Sequence, residues 1–432
     1  MTRNTPRLTR RAFLNRAALT AAGAAAAPHV ITSTALGAGT TPPASQRIGM
    51  GSIGVGGRGN GLLGGFLGLP DCRCLAVADP FKSRRERTAE RINKRYKTTD
   101  CAAYADFRDL LARNDIDGVV VATPDHWHVP VALHAVRAGK HVYVEKPLGL
   151  AVQWDIELRE TVRRYGRTFQ YGTQQRSSAH LRHACELVHS GRIGEVTEIE
   201  VHAPGGSAGG STTPIPVPDG FDYDMWLGPA PYSPYTKDRC TSAGSWFVYD
   251  NSIGFLGGWG AHPLDIAVWG WDKANQVPVE IEGTGTIPTE GLFNTVKDWD
   301  VRGRYAGGMA FRFIGPGKDL TKFVGTEGTI WVGRGYLRTE PESLKDSVIG
   351  PNDVHLVKSA NHGQSLLDAI KTRSDAVSNI DDAVQSDIIS HLTDIAIRTR
   401  RKIQWDSKAE TIVGDEQAAR MLARDMRSPW RL

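Results

Sequence analysis

Residues 47–70 read "RIGMGSIGVGGRGNGLLGGFLGLP". An apolar run, a glycine cluster and a second apolar run follow one another, which predicts a strand, a tight turn and a helix. The turn, Gly54-Val55-Gly56-Gly57-Arg58-Gly59, has the form GxGxxG. Glycines there let the turn close, let the backbone approach a pyrophosphate and leave the helix amino end facing phosphate charge. A ligand-free glycine-rich turn has the same form, so the pattern needs support. Asp79 supplies it: about 20 residues beyond Gly59, at the end of the next apolar run, an acid is placed to hydrogen-bond an adenosine ribose. Asp79 favours NAD, while Lys82, Arg84 and Arg85 just beyond it could hold the 2′-phosphate of NADP.

Working outward, "CRCLAVADP", "DIDGVVVATP" and "HVYVEKP" read as strands, separated by helical patterns in "RRERTAERINKRY" and "VPVALHAVRAG". Such alternation predicts a doubly wound parallel sheet, a Rossmann dinucleotide-binding domain over residues 46–165. At the strand ends, Thr123, Pro124, His128, Glu145 and Lys146 would gather where a nicotinamide and its substrate meet. Asp125, His126 and His128 are also metal-ligating types, but no further ligand cluster accompanies them, so no metal is expected. Over residues 166–432 the texture changes to strand-like runs such as "TEIEVHAP", "VRGRYAGGMAFRFIG" and "TKFVGTEGTIWVG", with helical patterns between them. This predicts an α+β domain with a large, mostly antiparallel open sheet.

The bulk numbers suit a soluble two-domain protein: 432 residues, 40% hydrophobic and 23% charged. The formal charge of +5 comes from the N-terminus, where residues 1–40 hold five arginines and no acid; the remainder has 47 basic and 47 acidic residues. A neutral body has no electrostatic footprint for nucleic acid or an anionic membrane. The basic start, Arg10-Arg11 before an alanine-rich run and "ALGAG", reads as a twin-arginine (Tat) export signal over residues 1–40 and predicts a periplasmic protein. The run Ala17 to Ala27 falls short of the roughly 20 apolar residues that a membrane span needs. Tat substrates fold before crossing, in a reducing compartment. The odd count of five cysteines, without a CxxC pair, fits that and predicts no disulfide framework. Cys72 and Cys74 are expected to share a buried strand face.

GxGxxG, "TPxxxH", "EKP" and "GWGAHPLD", in this order, resemble the Gfo/Idh/MocA oxidoreductases. The likeness runs through "YGTQQRSSAHLRHACELVHSGRIGEV", "MWLGPAPYSPY" and "VGTEGTIWVGRGYL" to "MRSPWRL". It is similar in particular to an exported bacterial branch with its own C-terminal domain type. The resemblance implies a Rossmann domain plus an open α/β domain, whose sheet often forms a homo-oligomer interface. It implies cofactor contacts at Gly54, Gly56, Gly57, Arg58, Gly59, Asp79, Thr123, Pro124, His128, Glu145, Lys146 and Gln174. Lys146 would lie against the nicotinamide and the substrate hydroxyl. Chemistry agrees, because oxidising a carbinol needs a group to take the hydroxyl proton as the hydride leaves, and burial beside a cationic ring lowers a lysine pKa.

The family's second motif is usually an aspartate, three residues, then a histidine. His262 matches the histidine, whereas Gly258 stands at the aspartate position. His262 is expected to be catalytic or substrate-binding; positioning a loop and a degenerate site are the other readings. Asp265 and Asp250 are the acids near enough in sequence to replace the missing helper. Trp226, Trp246, Tyr249 and Trp259 cluster around it in sequence, as sugar-stacking platforms or as core.

Exporting such a fold poses a problem, because the periplasm has no known pool of free NAD(H). A cofactor loaded before export and held tightly solves it. The expected function is oxidation of a sugar or glycoside hydroxyl by a captive, internally recycled NAD, with NADP as the other choice. The variants are a redox-neutral NAD-dependent glycosidase, with Lys146 and His262 as acid and base, and a non-catalytic sugar-binding protein.

Overall fold

The computed structural model describes residues 37, 42–271 and 277–432. The export signal expected over residues 1–40 therefore lies, but for Gly37, outside the described residues.

Six strands form the first sheet: β1 (Ile48–Ile53), β2 (Cys72–Ala78), β3 (Ala102–Tyr104), β4 (Gly118–Val121), β5 (His141–Val144) and β6 (Phe169–Tyr171). All are parallel, in the order β3-β2-β1-β4-β5-β6. The order reverses between β1 and β4, and that switch point opens a crevice beyond the carboxyl ends of the strands. "GVVV" of β4 is buried throughout, as befits a strand covered on both faces by crossover helices. The helices Gly57–Phe66, Lys82–Tyr96, His128–Arg137 and Val152–Tyr165 make those crossovers.

The second sheet comprises β7 (Val196–His202), β8 (Glu280–Thr286), β9 (Asp298–Arg304), β10 (Ala310–Gly315), β11 (Leu320–Gly325), β12 (Thr329–Gly333), β13 (Tyr336–Glu340), β14 (Ile403–Asp406) and β15 (Thr411–Val413). Their order is β13-β12-β11-β7-β10-β9-β8-β14-β15, antiparallel except for β7 against β10. Burial alternates along β10 and β11. One face packs on helices Ala179–His189, Ala261–Gly270 and Ile380–Thr399, and the other carries charged pairs such as Arg312 with Asp300 at 2.8 Å. Helix Ile380–Thr399, capped by the Asn379 side chain, is buried along most of its length because it packs on the second sheet and also on Val152–Tyr165 of the Rossmann half. All five cysteines are free, with Cys72 and Cys74 buried side by side at 4.0 Å.

Candidate active site

The glycine turn behaves as its spacing demands. Gly54 has φ +81°, and a Cβ there would stand 2.6 Å from the Ala122 carbonyl oxygen. A Cβ on Gly59 would come within 1.9 Å of the Gly54 oxygen, so the helix can begin directly on the strand end only without one. A Cβ on Gly57, in contrast, would meet nothing within 4 Å, which leaves the helix amino end open to an anion. Gly54, Gly56, Gly57, Arg58, Asp79, Thr123 and Pro124 line a crevice of about 390 Å³.

Asp79 is buried, its Oδ2 accepting from the Val55 amide and its Oδ1 from the Phe81 amide, both at 2.9 Å. Burial raises its pKa against the pull of those two amides and of Arg84 and Arg85. The acid therefore ties the glycine turn to β2 as well as facing the crevice. Of the three cations beyond it, only Arg84, lying over the Phe81 ring at 3.8 Å, lines the crevice. Arg85 donates to the carbonyls of Asp79 and Pro80, and Lys82 stands near Glu86.

The crevice has a second wall that sequence reading missed. Met225, Trp226, Cys240, Thr241 and Trp246, all from the segment Gly220 to Phe247, face the glycine turn. That segment is fastened to the loop after Asp79. The Lys82 amide donates to Gly220 at 2.8 Å, the Asp222 amide donates to Pro80 at 3.1 Å, and the rings of Phe81 and Phe221 stack at 3.7 Å. No motif announces it, since backbone bonds over such a sequence distance leave no periodic trace.

At the end of β5, buried Glu145 accepts from Arg58 (2.7 and 2.9 Å) and from Gln174 (2.9 Å), so three of the expected cofactor residues meet in one cluster. Burial pushes the neighbouring Tyr143 phenol well above its usual range. Lys146 follows, half-buried, its Nζ donating to the Gly258 carbonyl at 2.7 Å. Burial lowers its pKa; Glu145 and Asp125 oppose the shift, and Arg58 and Arg334 reinforce it.

His262 is 4% exposed, its Nδ1 has no hydrogen-bond partner among the described residues, and its ring meets that of Trp259 edge-on at 5.8 Å. Burial, then Lys146, Arg334 and Arg58, hold its pKa well below the usual imidazole range, so it is neutral at physiological pH. Neither acid considered as its helper serves. Asp265 grips Arg176 with both oxygens at 2.7 Å, and the buried Arg176 also reaches the partly exposed Asp382 at 2.5 Å, so the Asp265 carboxylate is engaged away from His262. Asp250 makes no hydrogen bond with His262. In place of a carboxylate, the Gly258 backbone presents its carbonyl to Lys146.

One expectation needs correction, and one open alternative closes. His128 does not open toward the cofactor: it is buried, and its ring nitrogens contact the carbonyls of Pro147 (2.6 Å) and Thr123 (2.9 Å), clamping the loops after β4 and β5 together. Nor is Tyr249 a sugar platform, since its hydroxyl donates to Asp394 and the guanidinium groups of Arg398 and Arg424 cover its ring. His126 contacts the Trp226 carbonyl at 2.9 Å, so the two histidines of "DHWH" are occupied with backbone rather than poised for a metal. The residue overlooked in that motif is Asp125. It is buried, accepts from Ser252 at 2.6 Å and acts electrostatically on Lys146; burial pushes its pKa up to about 6. Trp226 is 3% exposed and belongs to the crevice wall, which leaves Trp259 as the half-buried ring beside His262.

Two family models match the chain: "oxidoreductase family, NAD-binding Rossmann fold" over residues 48–173 and "oxidoreductase family, C-terminal alpha/beta domain" over residues 205–432. Among curated proteins, a glycosyl hydrolase family 109 protein of Saccharopolyspora erythraea is 36% identical over 159 residues, 35% of this chain and 34% of its own length. A glycosyl hydrolase family 109 protein of a Shewanella species is 36% identical over 166 residues, 34% of this chain and 36% of its own. The chain thus spans about a third of the length of the curated relatives it matches. Among solved structures, the scyllo-inositol dehydrogenase of Lactobacillus casei with bound NAD(H) and scyllo-inositol is 17% identical, with TM-score 0.58 over 83% of this chain and 99% of that one. GenD2 from gentamicin A biosynthesis, in complex with NAD, is 17% identical, with TM-score 0.62 over 86% and 99%. At such identities the structures share the fold.

Proposed function

The chain belongs to the Gfo/Idh/MocA oxidoreductase family, and from that membership we propose that it oxidises a ring hydroxyl of a sugar or glycoside with an NAD or NADP that stays bound between turnovers. The observation that carries the reading is Lys146, its Nζ 2.7 Å from the Gly258 carbonyl. Bound in the crevice, the nicotinamide cofactor supplies the hydride acceptor. Gly54, Gly57, Gly59 and Asp79 fit its pyrophosphate and ribose, and Arg84 is the residue available to a 2′-phosphate.

Lys146 then acts on the proton. A neutral amine that donates one N–H to Gly258 keeps its lone pair for the substrate hydroxyl, and burial favours that neutral form. Once the lysine has taken the proton, Asp125 and Glu145 stabilise its charge. Neutral His262 offers the substrate a hydrogen bond without competing for the proton. Arg58 and Gln174, through Glu145, hold the strand end that aims the amine.

Retention of the cofactor is supported by the fastened second wall, because opening the crevice means breaking two backbone hydrogen bonds and an aromatic stack. The test is to purify the full chain exported with its signal, denature it and count the released nucleotides by mass spectrometry. Near one NAD or NADP per chain is expected; none would defeat the captive-cofactor reading in favour of a binding protein.

The curated glycosyl hydrolase relatives favour a second reading. In a redox-neutral cycle, oxidation at C3 acidifies the C2 proton, elimination expels the C1 substituent, water adds and the hydride returns, with Lys146 and His262 as acid and base. Cleavage of a glycoside without net change in cofactor absorbance distinguishes it. Periplasmic location through Tat export, supported by Arg10-Arg11 before an alanine-rich run, and a homo-oligomer through the charged outer face of the second sheet, complete the proposal. Among the described residues no helix is long and apolar enough to cross a membrane.

A further inference from the structure

One cation of the site has no task in the chemistry above. Arg334 occupies the turn between β12 and β13, its side chain 59% exposed, with its guanidinium 5.6 Å from the centre of the Trp259 ring. That ring meets His262 edge-on, and the carbonyl of the preceding residue holds Lys146, so Arg334 stands at the mouth of the reaction centre. Its place is set by structure: His180 Nε2 contacts the Gly333 carbonyl at 2.9 Å. The nearest carboxylate, Asp319, lies 3.8 Å from its Nε and is already hydrogen-bonded by Gln175 at 2.6 Å.

Among the described residues, Arg334 meets its one ion-pair carboxylate, Asp319, only at 3.8 Å, beyond hydrogen-bond reach. Glu145 is engaged by Arg58 and Asp265 by Arg176, and neither Lys146 Nζ nor His262 is hydrogen-bonded to a carboxylate among the described residues. Arg334 thus stands at this side of the site as a cation over the apolar Trp259 ring, and Lys146 becomes a second one when it takes the proton.

Resting on the reading of the site as one that oxidises sugar hydroxyls, we propose that the substrate is an acidic sugar, a uronate or its glycoside, whose carboxylate pairs with Arg334 while its ring lies by Trp259 and a ring hydroxyl reaches Lys146. A planar guanidinium binds a carboxylate through two parallel hydrogen bonds, which a neutral sugar cannot offer. The anion also offsets the charge that Lys146 acquires when it takes the proton.

The test is calorimetric titration of the full chain, with its retained cofactor, against matched pairs: glucose and glucuronate, galactose and galacturonate, methyl glucoside and methyl glucuronide, with a hexose phosphate as a further arm. At least one uronate should bind about tenfold more tightly than its neutral partner, and the preference should shrink at high salt. Arg334→Gln, on an exposed turn, should bring the affinity for the uronate down to that of its neutral partner, while Arg334→Lys should keep part of the preference. Equal affinities within every pair, a preference that survives Arg334→Gln, stronger binding of the phosphate, or no binding of any sugar would overturn the proposal. Cofactor absorbance recorded alongside separates the two claims. A uronate that binds through Arg334 without reducing the cofactor upholds the acidic ligand and counts against oxidation. A neutral sugar that reduces the cofactor while uronates fail to bind does the reverse.

Discussion

Lys146 Nζ donates to the main-chain oxygen of Gly258 at 2.7 Å, so the position that lacks a carboxylate side chain still contacts the lysine amine through its backbone. A carbonyl dipole stabilises a charged lysine less than a carboxylate does, and the amine is kept closer to its basic, neutral form.

Gly258→Asp tests this balance. A Cβ at that position would touch only the Phe255 ring, at an ordinary 3.5 Å, so the helix Phe255–Gly258 should tolerate it. The new carboxylate should raise the pKa of Lys146. With any carbohydrate that reduces the bound cofactor, the rising limb of the pH–rate profile should move to higher pH. An unmoved limb would show that Lys146 is not the base.

Asp125→Asn should move the same limb the other way, because it removes a charge that raises the Lys146 pKa. Stability has its own sign. Burial pushes the folded Asp125 carboxyl up to about 6, above the roughly 3.9 of a free aspartate, so the folded state binds the extra proton between those values, and stability is lost as pH rises through about 6. The variant should therefore gain on the parent with rising pH, by up to about 3 kcal/mol above pH ~7. Denaturant melts across that range measure it.

Phe221→Ala removes one ring of the stack that fastens the second wall. Truncating this buried phenylalanine should cost about 3 kcal/mol and, more tellingly, should let the nucleotide escape. Dialysis followed by nucleotide counting should leave the parent near one per chain and the variant well below it. Equal retention would show that the wall does not hold the cofactor.

Asp265→Asn separates structure from catalysis. It leaves the fully buried guanidinium of Arg176 with Asp382 as its remaining carboxylate, a loss of about 3 kcal/mol or more. The melting temperature should drop while the pH–rate profile of the folded enzyme keeps its shape. A shifted limb would restore Asp265 as the helper of His262.

Much of this is legible in the sequence, for a local reason. The Gly54–Gly59 turn, Asp79 and the Lys146 strand end lie on regular β-α-β units, where period and glycine spacing are set by neighbours in the chain. The alternation that predicts the second sheet is local in the same way, whereas the vacant carboxylate position before His262 came from the family resemblance and not from spacing. The Arg58, Glu145 and Gln174 cluster follows from parallel strands that bring their carboxyl ends together.

What tertiary structure alone decided is which partner each polar group meets. Asp265 lies one helical turn from His262 in sequence yet points to Arg176, because the helix Ala261–Gly270 buries that face against the Gln174–Ser177 turn. His128 turned into a clamp when two strand-end carbonyls closed around it. Asp125 was brought toward Lys146, Phe221 onto Phe81, and Arg334 over Trp259, by folding segments that are remote in sequence. Spacing encodes the direction a side chain leaves its own element; the charge or ring it finds there depends on long-range packing, for which a single chain carries no local signal.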